Sequence, residues 1–149
     1  MSRRPLIAGN WKMYLSSDEA VQLASSIAES CLGVDDRDVM LAPPYGFIQA
    51  VSGAVQDSPV LVAGQNVCWE TDGAFTGEIS PVMLKAAGAN MVILGHSERR
   101  HIFNESDELV NKRLHGALKF DLIPILCVGE TLDEREEDRT FEVLEQQLR

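Results

Sequence analysis

Asn10 and Lys12, which follow the first apolar run of the sequence, have side chains suited to an anionic, oxygen-rich ligand. Lysine supplies a compact positive charge with several hydrogen-bond donors, and asparagine supplies a neutral donor. At positions i and i+2 of an extended segment, both side chains lie on the same side and could face one ligand together. The alternative is a solvent-exposed lysine beside a turn, which is where most lysines are found.

His96 follows Gly95 at the end of another apolar run and precedes Ser97–Arg100, which predicts the start of a short helix. Backbone dipoles at a helix start disfavour the imidazolium, so a neutral ring there could donate its N–H to a carbonyl oxygen that develops negative charge. The alternative is a histidine of the core or of a turn that hydrogen bonds the backbone. We assign His101 and His115 to that second class.

The sequence also contains three acidic features that could take part in chemistry or metal binding. Glu98 either pairs with Lys12 and holds it in place, or is the first-turn acid that a helix start favours. Glu130 follows the last apolar run and is the one other carboxylate, besides Glu98, at the carboxyl ends of the predicted strands. Its position alone makes it a weak candidate for a general base. The stretch Asp133–Asp138, read at helical spacing with its arginines, predicts a solvated helix face rather than a metal site.

The elements that must position these residues alternate between strands and helices. Five apolar runs suit strands buried on both faces, namely Leu6–Ala8, Val39–Ala42, Val60–Ala63, Met91–Leu94 and Leu122–Val128. The first helix between them has a Ser16-x-x-Glu19 capping box and an apolar face of Val21, Ala24, Ile27, Ala28 and Cys31, with Gly33 as a stop. Spacings of roughly 30 residues between strands are typical of βαβ units, so we predict a parallel α/β fold.

Two further helix starts are marked by serine. Ser80-Pro81 begins a helix that Gly88 ends, and Ser106 precedes a helix with the apolar positions Val110, Leu114, Ala117 and Leu118. Pro124 lies inside the fifth run and cannot donate to a strand ladder, which argues against a central strand there. We nevertheless retain this strand in the prediction.

Periodicity alone does not separate a doubly wound sheet from an eight-stranded barrel. No GxGxxG follows the first strand and no GxxxxGK occurs, so the phosphate signatures of the doubly wound folds are missing. This favours the barrel. In either architecture, function gathers at the carboxyl ends of the strands.

Composition excludes several classes of protein. With 45% hydrophobic and 24% charged residues, the chain is typical of an ordinary globular domain rather than a disordered or membrane-spanning protein. A net charge of −10 would repel a phosphate backbone, so nucleic acid is not expected as a partner, and the composition does not suggest a membrane partner either. Three widely spaced cysteines offer neither a disulfide framework nor a CxxC motif, which suits a reducing cytosol.

Two segments resemble the triosephosphate isomerase family closely, at the ends of the first and fourth strands: Gly9-Asn10-Trp11-Lys12-Met13 and Leu94-Gly95-His96-Ser97-Glu98-Arg99-Arg100. Supporting matches are Ala42-Pro43-Pro44, Gly64-Gln65-Asn66-Val67, Gly73 to Ser80 and Cys127-Val128-Gly129-Glu130. Their order, spacing and strand positions agree along nearly the whole chain, which makes coincidence negligible.

The resemblance implies a triose-phosphate isomerase of glycolysis and gluconeogenesis in the cytoplasm. Such an enzyme interconverts dihydroxyacetone phosphate and glyceraldehyde 3-phosphate by proton transfer through an enediolate, an aldose-ketose isomerisation that needs no cofactor and no metal. By resemblance, Asn10 and Lys12 bind substrate, Lys12 and His96 are catalytic with His96 as the electrophile, and Glu98 neutralises and orients Lys12. A neutral catalytic histidine is an established feature of this family and is no independent prediction here.

The family also forms homodimers through the long loop after its third strand, which corresponds here to Gln65 through about Gly77. Trp69 and Phe75 are consistent with docking on a partner, and Thr76 at the loop tip would approach the partner's active site. A loop of this length within a compact domain tends to be functional. The alternative is a surface flap that folds back on its own domain.

We expect residues 1–149 to form a single partial (β/α) barrel domain without a linker or second domain, ending after about five of eight βα units, because complete barrels have about 250 residues. By resemblance, the catalytic glutamate, the mobile lid and the phosphate-binding turns would lie beyond residue 149. The isolated chain is therefore expected to be inactive or nearly so. The alternative is a non-catalytic βα fragment that self-associates or complements a missing C-terminal part.

Overall fold

The computed structural model describes residues 3–149. Strands and helices alternate along this part of the chain, as predicted from the apolar runs, and a 3₁₀ turn covers Tyr45–Phe47. The elements are β1 (Leu6–Asn10), α1 (Ser17–Ser30), β2 (Asp38–Ala42), α2 (Ile48–Val55), β3 (Val60–Gly64), α3 (Pro81–Ala86), β4 (Met91–Leu94), α4 (Ser97–His101), α5 (Asp107–Lys119), β5 (Ile123–Leu126), α6 (Leu132–Glu136) and α7 (Thr140–Gln147). Among residues 3–149, no helix combines the length and the apolar character that crossing a membrane requires.

The strands form a parallel sheet in the order β1-β2-β3-β4-β5. Leu6 lies opposite Asp38 at one end of the sheet, and Met91 lies opposite Ile123 at the other. Every crossover leads to the adjacent strand, whereas a doubly wound sheet reverses its strand order partway. The predicted barrel-type α/β fold is confirmed by this singly wound order.

The two faces of the sheet bury different partners. On one face, strand side chains such as Leu41 and Val62 pack against the helices, in particular against Ala24, Val51 and Leu84. On the other face, a second buried cluster is made by strand residues alone: Met40, Ala42, Ala63, Met91 and Ile93. Helices on one face only, with strand side chains filling the opposite face, are the layers of a barrel rather than of a three-layer sandwich.

The two edge strands are less buried than the sequence pattern predicts. Ile7 of β1 is 55% exposed and Ile123 of β5 is 56% exposed, because neither strand has a neighbour on its outer side. The edge position also explains how Pro124 is tolerated. The N–H groups of Ile123 and Cys127 donate to the carbonyl oxygens of Asn90, just before β4, and Leu94, at its end. Backbone N–H groups alternate in direction along a strand, so the nitrogen of Pro124 faces the open side, where no ladder partner is lost.

Two helix faces are rotated slightly from the predicted ones. In α1, which has the predicted capping box, the fully buried positions are Ala20, Ala24 and Ala28, while Val21 and Ile27 are half-buried. In α5, the buried residues are Val110, Arg113, Gly116 and Ala117, and Leu118 is exposed. The buried positions of α1 are thus all alanine, and α5 has the small residues Gly116 and Ala117 beside Val110 and Arg113.

Gly116 gives one testable consequence of such an approach. A Cβ at this position would lie 2.6 Å from Cα of Trp69 and 3.0 Å from its carbonyl oxygen. We expect Gly116→Ala to lower the free energy of unfolding by about 1–3 kcal/mol, since either backbone segment must shift. Helix propensity alone predicts the opposite, a gain of about 1 kcal/mol. Urea unfolding measures the difference.

Gly53 provides the matched control, because it is also helical but a Cβ there would meet nothing within 4 Å. Gly53→Ala is expected to raise the free energy of unfolding by about 0.4–1 kcal/mol. Equal gains in the two variants would contradict the close packing at Gly116.

Candidate active site

The four side chains singled out from the sequence line one groove of about 400 Å³ at the carboxyl ends of the strands. Asn10 ends β1, Lys12 follows it, and His96 and Glu98 follow β4. The groove is also lined by Tyr14, Tyr45, Gln65, Asn66, Arg99 and Phe103. Parallel strands thus bring together residues that are 84 or more positions apart in sequence.

Lys12 reaches the groove by a different route from the one predicted. Its backbone has a φ of +51°, a left-handed conformation that is uncommon outside glycine, so the segment is not extended through this residue. The Lys12 N–H donates to Oδ1 of Asn10 at 3.0 Å and closes a tight turn. Because Oδ1 is the acceptor in this bond, the NH₂ group at Nδ2 of Asn10 remains able to donate to a ligand.

Gln65 holds this turn against the sheet. Its Nε2 donates both to the Lys12 carbonyl oxygen at 2.7 Å and to the Ala42 carbonyl oxygen at 2.9 Å. A strained non-glycine backbone persists only where its surroundings determine it, and such strain clusters at functional sites. Gln65, predicted only as part of a dimer loop, therefore has an intrachain contact that fixes Lys12.

His96 is the N-cap of α4, and its ring is oriented by the first turn of that helix. Nδ1 accepts a hydrogen bond from the backbone N–H of Glu98 at 3.2 Å, and the His96 side chain is 24% exposed. Nδ1 also lies 3.5 Å from Oε2 of Glu98, so this ring nitrogen faces Glu98 and Nε2 is the one left free for a ligand. Nε2–H is then the donor available to a ligand in the groove.

Lys12 and Glu98 form an ion pair across the groove, with Nζ 2.7 Å from Oε1. The hydrogen bond from Lys12, with its charge, lowers the pKa of Glu98, and the same bond raises the pKa of Lys12. Both side chains are more than 40% exposed, so the pair contributes little to folding. Its effect is to hold a charged ammonium group at a fixed place.

We expect Lys12→Met to raise the pKa of the Glu98 carboxyl toward its ordinary value of 4.5. The lowered pKa means that the pair's contribution is fully present above pH 4.5 and is lost as pH falls through the pKa in the folded state. Carboxyl ¹³C NMR of Glu98 during an acid titration measures this change. Lys85→Met is the control, because Lys85 donates to the Phe120 carbonyl oxygen away from the groove; an equal change in both variants would contradict the pairing.

The loop between β3 and α3 folds partly onto its own chain. The Trp69 ring packs edge-to-face on Phe75, with centroids 5.4 Å apart, and its other neighbour is the Arg113 guanidinium at 5.6 Å. Trp69 is accordingly half-buried within the chain, while Phe75 is 37% exposed and Thr76 is exposed. Phe75 and Thr76 belong to the exposed part of this loop, which comprises Glu70 and residues 72–77.

Glu130 lies in a neighbouring pocket that His96 also lines. Its carboxylate is bound by Arg135 at 2.7 Å and by the Thr140 hydroxyl at 3.2 Å. A hydrogen bond from its own backbone N–H, followed by the one from Arg135, lowers the pKa of Glu130. A carboxylate stabilised in this way is a weaker base than a free one.

Sequence reasoning missed a group of buried charged residues beside the groove, namely Arg113 and Glu105 with their partners Arg99 and Glu78. One signal was available. Arg113 stands three positions after Val110 and four before Ala117, which places a charge on the apolar face of a helix. Such a charge is almost never buried unless it is paired. Within residues 3–149, no cluster of His, Cys, Asp or Glu side chains could hold a metal ion.

Comparison with known proteins gives consistent matches. The family model described as triosephosphate isomerase matches residues 5–149. The triosephosphate isomerase of Citrifermentans bemidjiense is 48% identical over 147 residues, which are 99% of this chain and 59% of that relative. That of Syntrophotalea carbinolica is also 48% identical, over 99% of this chain and 58% of the relative.

A solved structure supports the same relationship. The crystal structure of triosephosphate isomerase from Bartonella henselae superposes with a TM-score of 0.89 at 36% sequence identity. It covers 98% of this chain and 60% of that chain. The present chain thus spans about three fifths of the length of the proteins that it matches.

Proposed function

Because this chain belongs to the triosephosphate isomerase family, we propose that it supplies the substrate-binding and electrophilic side chains for the interconversion of dihydroxyacetone phosphate and glyceraldehyde 3-phosphate. Asn10 and Lys12 bind the substrate oxygens. Neutral His96 donates from Nε2 to the carbonyl oxygen as the enediolate develops, and Glu98 orients Lys12. Preorganised donors of this kind stabilise charge that forms in the transition state.

The observation that carries the proposal is the arrangement of two donors in one groove, one held by the carboxylate of Glu98 and the other by its backbone N–H. The Lys12 ammonium is held by Glu98 at 2.7 Å, and the His96 ring is held through Nδ1 by the first turn of α4 at 3.2 Å. Each contact leaves donors available to a ligand, because an ammonium group has three and Nε2–H has no part in the Nδ1 bond.

The 149-residue chain by itself does not complete the reaction in this proposal. Among residues 3–149, the carboxylates that line the two pockets beside His96 are Glu98 and Glu130. Each is paired with a cation, and each has a lowered pKa. Proton abstraction next to a carbonyl needs a positioned base, whose removal typically costs about 10²–10⁴-fold in rate.

Membership of the family also supports a proposal about the compartment and the oligomeric state of the complete enzyme. The complete enzyme acts in the cytoplasm as a homodimer, in which the loop from Gln65 to about Gly77 contacts the partner. The exposed Phe75 and Thr76 support this role. The half-buried Trp69 packs on Phe75 and Arg113 and thereby supports the loop within its own chain.

Binding of dihydroxyacetone phosphate to the 149-residue chain tests the proposal directly. We expect saturable NMR shifts at the His96 ring nitrogens, with a dissociation constant in the millimolar range or weaker. Lys12→Met should abolish saturation, because the anionic ligand loses its cation. Lys85→Met should leave it intact. Saturation that is equal in both variants, or absent at His96 in the unmodified chain, would refute the proposal.

A second candidate function rests on the open edges of the sheet. Ile7 and Ile123 expose apolar surface beside unpaired strand backbone, which favours self-association or complementation by another βα segment. Light scattering distinguishes this role. A concentration-independent monomer would argue against it, whereas a defined oligomer that persists at low concentration would support it.

A further inference from the structure

Arg113 is a fully enclosed cation that joins two functional segments. Its side chain is 4% exposed, although arginine usually lies at the surface. Toward the loop after β3, Nη1 donates to the Val67 carbonyl oxygen at 2.5 Å, and the guanidinium makes a bidentate pair with Glu78 at 2.8 and 3.0 Å. Arg113 therefore binds that loop at both of its ends.

Toward the active site, the same guanidinium contacts Glu105. Nη2 of Arg113 lies 3.1 Å from Oε1 of Glu105, whose side chain is 3% exposed. That oxygen also accepts from Nε of Arg99 at 2.8 Å and from Nδ2 of Asn66 at 3.3 Å. One buried carboxylate oxygen thus gathers donors from the loop, from α4 and from α5.

Arg99 belongs to α4, whose N-cap is His96. A helix of five residues has almost no stability of its own, so its tertiary contacts set its position. Two of those contacts run to Glu105, since the Glu105 N–H also donates to the Arg99 carbonyl oxygen at 3.0 Å. A shift of Glu105 would therefore change two of the contacts that position the helix whose N-cap is His96.

A buried ion pair is weak grounds for stability alone, because the desolvation of both charges offsets their attraction. The main effect of this network is to fix the relative positions of the loop after β3, α4 and α5. The Arg113 guanidinium has five N–H donors in a fixed planar arrangement. Its Nη1 contacts Val67 and Glu78, while its Nη2 contacts Glu78 and Glu105. Lysine at the same position would keep the charge, but its single nitrogen could not make the bidentate pair with Glu78 together with the contacts to Val67 and Glu105.

We infer that Arg113 is a positioning residue that fixes the orientation of His96 through Glu105 and Arg99 and couples it to the loop at residues 65–80. The inference deepens the proposed isomerase function, because it concerns the side chain assigned there as the electrophile. It also makes that orientation depend on the loop through which the family is expected to dimerise.

The test uses the folded 149-residue chain labelled with ¹⁵N-histidine and no substrate. The ring-nitrogen shifts of His96, identified by comparison with His96→Gln, report the tautomer and the hydrogen bond at Nδ1. In Arg113→Lys, we expect the Nδ1 signal to move toward that of a free neutral imidazole. Glu78→Gln, which keeps the shape of the site, is expected to give a smaller shift in the same direction and carries the test if Arg113→Lys does not fold.

Val51→Ala is the control for a purely structural role, because Val51 is fully buried in α2 and belongs to the core rather than to the network. It is expected to lower the free energy of unfolding without moving the His96 signals. Unchanged His96 shifts in the folded Arg113 and Glu78 variants, or an equal shift in Val51→Ala, would overturn the inference. Failure of dihydroxyacetone phosphate to bind, with these shifts as expected, would count against the proposed function only.

Discussion

A protein that joins this chain to the part of the Citrifermentans bemidjiense relative beyond the matched region is expected to show isomerase activity that depends on His96. In that joined protein, His96→Gln should lower kcat by about 10²–10³-fold, the usual cost of removing one donor to a developing oxyanion. The reason is the fixed Nε2 donor, which glutamine does not reproduce at the same place. Steady-state conversion of glyceraldehyde 3-phosphate measures the change.

His115→Gln in the same joined protein is the matched control, because His115 is exposed on α5 and lies outside both pockets beside His96. It should retain the activity of the parent. A folded joined protein whose kcat is equally insensitive to both substitutions would show that His96 does not act on the substrate.

Arg113→Met is expected to have the largest effect on folding. Removing the guanidinium leaves the buried Glu105 carboxylate with Arg99 but without its second cation, and it deprives Glu78 of a bidentate partner. Breaking a buried pair in this way costs about 3–5 kcal/mol. The arginine also lowers the pKa of Glu78, so the wild-type advantage should be lost as pH falls below 4.5 toward the pKa in the folded state. Urea unfolding at pH 7 and at lower pH measures both effects.

Arg37→Met serves as the comparison, because both side chains of the Arg37–Asp36 pair are half or more exposed. A solvent-exposed pair of this kind contributes little to folding. Equal losses in the two variants would contradict the assignment of Arg113 as a buried hub.

The order and type of the strands could be predicted because buried parallel strands are continuous apolar runs. The runs beginning at Val39, Val60 and Met91 are strands with buried side chains, as expected. The edge strands could not be distinguished by the same pattern, since Ile7 and Ile123 are as apolar as residues at the centre. Exposure there depends on which strand has a neighbour, which hydrophobicity does not encode.

The candidate site was predictable in its members but not in its geometry. The positions of Asn10, Lys12, His96 and Glu98 after two strands place them at one end of the sheet. The left-handed backbone of Lys12 was not predictable, because this conformation is uncommon for lysine and is held here in part by a hydrogen bond from Gln65, more than fifty residues away. Local propensity points to a different conformation, and a long-range hydrogen bond overrides it.

The inward position of Arg113 illustrates a third kind of limit. The spacing from Val110 places it on the apolar face of α5, but the sequence does not identify which carboxylates pair with it. Glu78 and Glu105 reach it from two other segments, 35 and 8 residues away. Pairing between distant charges depends on the packed fold, whereas the presence of a charge on an apolar face can be found from periodicity.

The most direct measurement is the conversion of glyceraldehyde 3-phosphate by the purified 149-residue chain, beside a His96→Gln preparation made in the same way. We expect the two rates to be equal and to reflect only contaminating host enzyme, because Glu98 and Glu130 are both paired with cations. Turnover by the unmodified chain that His96→Gln abolishes would contradict this expectation and would identify Glu130 as the first base to test.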